Sequence, residues 1–193
     1  MSAATLQPGF ADPVGGAQSC FRAVLDAMAR PGTIREAGFG LAPPAPLAPA
    51  TAAVLLTLLD YDTPVWLDPA VREARDWIAF HCGAPVVPDI ASCGFAVALS
   101  LPALGSLPAG SHEAPESAAT LIMQVDALDR GQAFRLMGPG LRAPATLAVA
   151  GLPGGFAAAW QENHALFPRG IDIVLCAGTS IAALPRSVAV QEA

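Results

Sequence analysis

The chain of 193 residues contains no lysine, so all ten of its basic residues are arginine. A lysine amine is needed to form a Schiff base with pyridoxal phosphate or a carbonyl substrate, and a lysine grips the phosphates in a Walker-type loop. Neither kind of site can be built from this sequence. We predict that the chain holds no cofactor.

Charged residues are also scarce, at 13% of the sequence against about 25% in an average soluble domain, while hydrophobic residues make up 53%. The net charge of -6 and the isoelectric point near 4.8 argue against nucleic-acid binding, which depends on Lys and Arg neutralising phosphates. So little polar surface favours a subunit that buries apolar surface against another chain.

No hydrophobic run is long enough to predict a membrane span, although the mean hydropathy is +0.49. Proline or glycine interrupts each uncharged stretch, as in residues 41–59 and 90–112. The N-terminus has neither the basic region nor the apolar core of a secretory signal. We therefore expect a cytoplasmic protein without a membrane partner.

The four cysteines are widely spaced, with no Cys-x-x-Cys pair. A zinc site would need His81 or His112 to join them, and His81 directly precedes Cys82 instead of standing at ligand spacing. We predict no metal site and interpret the cysteines as small buried hydrophobic residues. They are Cys20, Cys82, Cys93 and Cys176.

Residues 51–67 give the clearest local pattern: an apolar helix, a tight turn and a buried strand. Asp12-Pro13 and Asp68-Pro69 each combine a helix N-cap with proline at the first helical position, and they predict helices to about residues 30 and 81. Phe21, Leu25 and Met28 form one apolar stripe on the first of these helices.

The remaining pattern predicts one more helix, over residues 154–166, with Phe156, Trp160 and His164 on one face. Residues 120–125 and 133–137 resemble the two strands of a hairpin, and residues 171–176 and 180–184 form another around Gly178. Helices alternate with strands early in the chain and hairpins come late. We predict a single α/β domain over residues 1–193, a mixed β-sheet flanked by helices, with residues 1–11 and 188–193 as flexible ends.

Two groups of residues suggest both a structural and a chemical interpretation. Asp60 and Asp62 could serve as a metal or general-base pair, but with Thr63 they fit a capped structural turn better. The Gly138-Pro139-Gly140 stretch near Arg142 could hold an anion through its amides, although a plain turn is favoured.

Glu116 precedes a buried strand, and Arg186 follows the last predicted strand. We predict that they form a structural ion pair instead of a catalytic one. His164 is interpreted as a packed or hydrogen-bonded histidine. The adjacent Ser111, His112 and Glu113 cannot act as a triad, because neighbouring side chains point in different directions.

A colinear set of short motifs spans most of the chain. In order, the motifs are Phe21-Arg22-x-x-Leu25-x-Ala27-Met28-x-x-Pro31-Gly32, Val54-Leu55-Leu56-Thr57-Leu58, Asp60-x-Asp62-Thr63-Pro64-Val65-Trp66-Leu67, Phe80-His81-x-x-Ala84-Pro85, Ala114-Pro115-Glu116, Ala119-Thr120-Leu121-Ile122, Phe167-Pro168-x-Gly170-Ile171-Asp172 and Pro185-Arg186. The set resembles the PhnH family, a subunit of the bacterial carbon-phosphorus lyase system. Ala118 departs from the glycine expected there, and residues 100–108 match poorly.

The resemblance implies a fold like the large domain of pyridoxal-phosphate-dependent transferases without the cofactor site. It implies a homodimer in isolation and a core complex with the PhnG, PhnI and PhnJ subunits. That complex uses ATP and methylphosphonate to form ribose 1-methylphosphonate 5-triphosphate. The resemblance transfers no catalytic residue.

Two functional hypotheses follow. The first is a subunit needed for phosphonate catabolism that is not catalytic alone. The alternative is a phosphate- or nucleotide-binding subunit in which Arg22, Arg142 or Arg186 takes part directly in the transfer reaction.

Overall fold

The computed structural model describes residues 7–193. This part of the chain contains four α-helices: α1 (Pro13–Ala29), α2 (Pro49–Leu58), α3 (Arg75–Cys82) and α4 (Phe156–His164). Its nine strands are β1 (Arg35–Glu36), β2 (Val65–Leu67), β3 (Phe95–Ala98), β4 (Thr120–Gln124), β5 (Ala127–Met137), β6 (Ala145–Ala150), β7 (Asp172–Ala177), β8 (Ser180–Leu184) and β9 (Ala189–Glu192). No helix in residues 7–193 is both long and apolar enough to span a bilayer.

The strands form two sheets. The larger has six strands in the order β1-β8-β7-β4-β3-β2, and the smaller has three in the order β6-β5-β9. Strands β2, β3, β4 and β7 run parallel, whereas β8 and β1 are antiparallel to their neighbours. The predicted mixed α/β architecture is confirmed, and the second, antiparallel sheet is an addition to it.

The two central strands of the large sheet, β4 and β7, are buried on both faces. Leu121, Ile122 and Met123 of β4 are fully inaccessible, as are residues 173–176 of β7. Such continuous apolar runs are characteristic of parallel strands covered on both sides. The large sheet therefore needs a layer of structure on each face.

Different elements supply these two layers. Helices α1, α2 and α3 pack on one face against alternate strand residues such as Ile122 and Val174. The small sheet and α4 cover the other face, where Leu121 and Ile173 meet Phe134 and Trp160. The protein thus has three layers with two apolar cores.

Buried and partly buried polar side chains join the layers at the ends of the central strands. Gln124, at the end of β4, accepts hydrogen bonds from the Ala48 amide (2.7 Å) and the Thr51 hydroxyl (2.8 Å) and donates to the Pro46 carbonyl (2.9 Å). Asn163 of α4 exchanges two hydrogen bonds with the backbone of Ile171, at 2.8 and 3.0 Å. Because buried amides are costly without partners, these bonds fix α2 and α4 relative to the sheet.

The local start signals of the helices are confirmed. The Asp12 carboxylate accepts from the Gly15 amide at the start of α1, and Asp68 accepts from the Ala70 amide. After Asp68 the chain first forms a 3-10 helix over Pro69–Ala74 and continues as α3 only from Arg75. Gly83 ends α3 in the left-handed conformation, where glycine meets no Cβ penalty.

The predicted hairpin of residues 120–125 and 133–137 is wrong. The first segment is β4, in the middle of the large sheet, whereas the second belongs to β5, which pairs with β6 and β9 in the small sheet. Strand β5 begins at Ala127, before the polar segment that was interpreted as a turn, and its pairing register shifts between Asp129 and Gln132. A bulge at Gly131 lets one strand pass through this segment.

The predicted flexible C-terminal end, residues 188–193, is also wrong. β9 pairs with β5 over four residues, Val188 and Val190 are fully buried, and Trp160 donates to the Val188 carbonyl at 2.7 Å.

Of the predicted flexible N-terminal end, residues 1–6 lie outside the described residues. The Gln7 carbonyl lies 2.9 Å from Trp77 Nε1 and 3.0 Å from His81 Nε2, so the chain is held at that point.

The two faces of β9 give a test of its role. We expect Val190→Ala to lower the free energy of unfolding by roughly 1–3 kcal/mol, because a fully buried side chain is lost from the core. The adjacent, exposed Gln191→Ala should stay within about 0.5 kcal/mol of the wild type. Urea unfolding of both variants measures the difference, and equal stabilities would contradict a structural role for β9.

Candidate functional site

Asp60 and Asp62 lie in an exposed turn between α2 and β2. The Asp60 carboxylate accepts from the Asp62 amide at 3.0 Å, while the Thr63 hydroxyl accepts from the Asp60 amide at 2.6 Å and donates to the Asp60 carbonyl at 2.8 Å. These are the bonds of a capped turn. They direct the chain from the helix into the buried strand.

Arg186 pairs with Asp172, so its predicted pairing with Glu116 is wrong. Its guanidinium lies 2.5 Å from one Asp172 oxygen and within 3.2 Å of both, and it also donates to the Pro115 carbonyl at 2.6 Å. The Arg186 amide donates to the same carboxylate at 2.7 Å. Arg186 therefore lies close to the backbone of Glu116, because it bonds to the carbonyl of the preceding residue, Pro115. The bonds leave little of this guanidinium available for a ligand.

The other sequence-predicted arginines stand on exposed surface. Arg22 lies on α1, and Arg142 lies in the loop between β5 and β6. That loop packs against the end of α1, because a Cβ at Gly140 would lie 2.2 Å from the Ala29 carbonyl. His164 makes a hydrogen bond of 2.8 Å to the Arg186 carbonyl through Nδ1, as interpreted from the sequence.

Asp68 is the most extensively bonded carboxylate apart from Asp172, and its role beyond capping was not predicted. One oxygen caps the 3-10 helix, and the other accepts from the Leu99 and Ser100 amides and the Ser100 hydroxyl. Burial alone would raise the pKa of Asp68, but these donors outweigh burial and lower the pKa. The charged carboxylate therefore ties the ends of β2 and β3 together.

All four cysteines are free thiols with little or no contact with solvent. Cys20, Cys93 and Cys176 are buried, and Cys82 is partly buried. Burial raises the pKa of Cys82 to about 12 and that of Cys93 to about 11, so both remain protonated at neutral pH. Across residues 7–193, His, Cys, Asp and Glu nowhere gather in a group of three or more that could hold a metal ion.

Helix α1 carries its core-facing residues on a different stripe from the predicted one. Cys20, Val24 and Ala27 face α2 and the large sheet. Of the predicted stripe, Phe21 and Leu25 point to solvent, whereas Met28 is partly buried and packs against the core. Both stripes have helical spacing, so periodicity alone did not tell which one meets the core.

The solvent-facing stripe of α1 consists of Val14, Phe21 and Leu25. These side chains are 80%, 46% and 52% exposed. At 3.6 residues per turn, positions 14, 21 and 25 fall on one side of the helix. Three large apolar side chains in such a row are typical of a surface that another protein covers. We call this row the α1 stripe.

The fold and its polar groups together define a class of protein. Its bonded carboxylates and side-chain amides hold the three layers together, and the three apolar side chains of the α1 stripe lie outside the cores. This is the organisation of an α/β subunit built to associate with other chains.

Comparison with known proteins places the chain in a particular family. Residues 8–191 match the family described as PhnH, bacterial phosphonate metabolism protein, and the chain belongs to that family. It is 44% identical over 187 residues to the alpha-D-ribose 1-methylphosphonate 5-triphosphate synthase subunit PhnH of Rhizobium meliloti (strain 1021), with 94% of each chain covered. It is also 40% identical over 78 residues to the putative C-P lyase subunit protein HtxG of Stutzerimonas stutzeri, which covers 40% of each chain.

Asp68 gives a pH-dependent test of the site's framework. Folding lowers the pKa of Asp68, so the charged carboxylate stabilises the folded state fully above the unfolded pKa of about 3.9. This stabilisation is lost as the pH falls through the lower, folded-state pKa. We expect Asp68→Asn to cost about 1–2 kcal/mol at pH 7, and the cost should shrink below about pH 4.

Asp62→Asn is the matched control, because the Asp62 side chain is exposed in a turn. Its unfolding free energy should stay within about 0.5 kcal/mol of the wild type. Urea unfolding between pH 3 and pH 8 compares the two variants. A deficit for Asp68→Asn that is constant over that range would show that its charge is not what matters.

Proposed function

We propose that this chain is a subunit of the carbon-phosphorus lyase system that is needed for phosphonate catabolism and is not catalytic alone. With its partner subunits it takes part in forming ribose 1-methylphosphonate 5-triphosphate from ATP and methylphosphonate. Family membership and the name of the 44% identical relative support this proposal. The triphosphate in that name also supports the cytoplasm as its location.

The observation that carries the proposal is the α1 stripe. A helix that already gives one apolar stripe to the core has no need of a second unless something else covers it. We assign the stripe to a partner subunit in the complex formed with PhnG, PhnI and PhnJ. Leu25 and Phe21 are the best placed to act as anchors, since large apolar side chains at the centre of an interface contribute most of its energy.

In isolation we expect a homodimer, because the chain has so few charged residues for a monomer's surface. We also propose that the large sheet with its helices corresponds to the large domain of pyridoxal-phosphate-dependent transferases. The absence of lysine supports the further proposal that such a domain has here lost its cofactor site.

The double variant Phe21→Ser with Leu25→Ser tests the assignment of the stripe. Truncating interface anchors typically costs about 2 kcal/mol or more, which is roughly a thirtyfold loss of affinity. We therefore expect the variant to fold normally and to be depleted from a reconstituted complex with the three partner subunits. Pull-down with tagged partners and size-exclusion chromatography measure this.

Phe80→Ser is the matched control, because Phe80 is 65% exposed and lies on a different helix, α3. It should enter the complex as the wild type does. If the double variant also assembles normally, the assignment of the stripe is wrong. If it assembles normally but no longer forms the homodimer, the stripe belongs to a second copy of this chain, and the partner assignment fails.

A further inference from the structure

A cavity of about 600 Å³ lies along the outer edge of β2, at the opposite edge of the large sheet from β1. Its lining includes Trp66 and Leu67 of β2, Arg72 and Arg75 of the helical segment that follows, and residues 86–88. We call it the β2 groove. One wall is cationic and another is apolar.

Arg72 and Arg75 have no ionic partner in the described part of the chain. The ion pairs between residues 7 and 193 involve Arg30, Arg35 and Arg186 only. Arg72 and Arg75 are three residues apart in one continuous helical segment, which places the two side chains side by side. Two adjacent positive charges facing one cavity repel each other until an anion lies between them.

The acidic residues nearest in sequence to this cationic wall, including Glu73 directly after Arg72, form no ion pair with it. Asp76 stands four residues after Arg72, a spacing at which a pair can form, yet the two are not within ion-pair distance. Asp68 and Asp89, at the two ends of the groove, accept hydrogen bonds from backbone amides of their own turns. The guanidinium groups therefore remain available.

A backbone donor faces the same cavity. Along β2, the Val65 amide and carbonyl bond outward to Pro85 and Val87, whereas the Asp68 amide bonds inward to Val97 of β3. Backbone amides along a strand point alternately to its two sides, so the Leu67 amide points outward like that of Val65. It lies beyond the point where β2 pairs with residues 85–87. It makes no hydrogen bond within residues 7–193. Leu67 lines the groove, so its N–H adds a third donor for an anion.

The apolar wall is formed by Trp66, Val86, Val87 and Pro88. Trp66 and Val87 are half-buried and pack against the core, which holds them in place. A half-buried indole at the lining of a groove can pack against a ring or another planar apolar group. The groove therefore combines a charged end with a stacking surface, the pattern of a site for a small amphipathic ligand.

We propose that the β2 groove binds a small molecule that carries a phosphate or phosphonate group next to a planar or apolar group. Two guanidinium groups match one dianion, and a phosphate-type group carries about -1.5 to -2 charges at neutral pH. A single carboxylate would neutralise only one of the two arginines. A peptide strand cannot add along this edge, since residues 85–87 already occupy it and Pro88 has no amide hydrogen.

Calorimetric titration with three probes tests the ligand chemistry. Phenylphosphonate presents both halves of the expected ligand, inorganic phosphate presents the charge alone, and benzoate presents a ring with one charge. We expect phenylphosphonate to bind at least about tenfold more tightly than either of the others, since only it uses both walls. Binding should weaken with added salt.

Arg72→Gln and Arg75→Gln should each weaken phenylphosphonate binding by about tenfold or more, because a hydrogen bond to a charged group contributes about 1.5–3 kcal/mol. The control is Arg135→Gln, which removes the same charge from an exposed position in the small sheet. It should bind like the wild type. All three arginines are exposed, so circular dichroism and thermal melting should show intact folds.

Tryptophan emission reports the location independently. The chain has three tryptophans, and Trp77 and Trp160 are fully buried, so a probe in the groove should change the emission of Trp66 and leave Trp66→Phe nearly silent. Equal affinity in Arg72→Gln, Arg75→Gln and wild type would overturn the proposal, as would undetectable binding of phenylphosphonate. Tight binding of an acidic peptide but of none of the probes would assign the groove to a protein partner instead. Because the α1 stripe lies on a different element, none of these results tests its assignment to a partner subunit.

Discussion

The architecture depends on one constraint: the central strands β4 and β7 have no polar face. Leu121 and Ile122 point to opposite sides of the large sheet and are both fully buried, as are Ile173 and Val174. Helices cover one side, and the small sheet with α4 covers the other. Polar side chains are consequently confined to the ends of these strands and their neighbours. There Gln124 bonds to residues 46–51, Asp68 bonds to Ala70 and to residues 99–100, and Asp172 bonds to Arg186. In a strongly apolar chain, these few polar groups set the register in which the layers meet.

The elements that local chemistry dictates could be predicted from the sequence, whereas pairings between distant segments could not. Asp12-Pro13 and Asp68-Pro69 mark helix starts through bonds made within a few residues. The segment after Met123 reads equally well as a turn or as a bulged strand, since Gly131 permits either. The choice depends on β6 and β9, which lie elsewhere in the sequence. The last six residues give a weak strand signal in the sequence, because Val188 and Val190 are the only large apolar residues that alternate there.

The candidate site was predictable to a smaller extent. Sequence placed Arg186 in an ion pair, but its partner Asp172 lies at the start of a strand whose neighbours were unknown. On α1 two apolar stripes coexist, and only packing shows that Val24 faces the core while Leu25 does not. The spacing of Arg72 and Arg75 is visible in the sequence. Their significance is not, because it comes from residues 86–88 folding back along β2 to close a groove.

The chain order of the strands has a consequence for how this protein is made. Strand β4 needs β7 as its second neighbour, β1 pairs with β8, and the small sheet is completed only by β9. All three of these strands lie in the final part of the chain. During synthesis the face of β3 and β4 that α4 and the small sheet cover therefore emerges long before those segments, and it cannot be buried natively until β9 has been made. Folding is also slow when many of the contacts join residues that are far apart in the sequence. For this protein, the interval between the synthesis of β4 and that of β9 is the period in which aggregation is most dangerous.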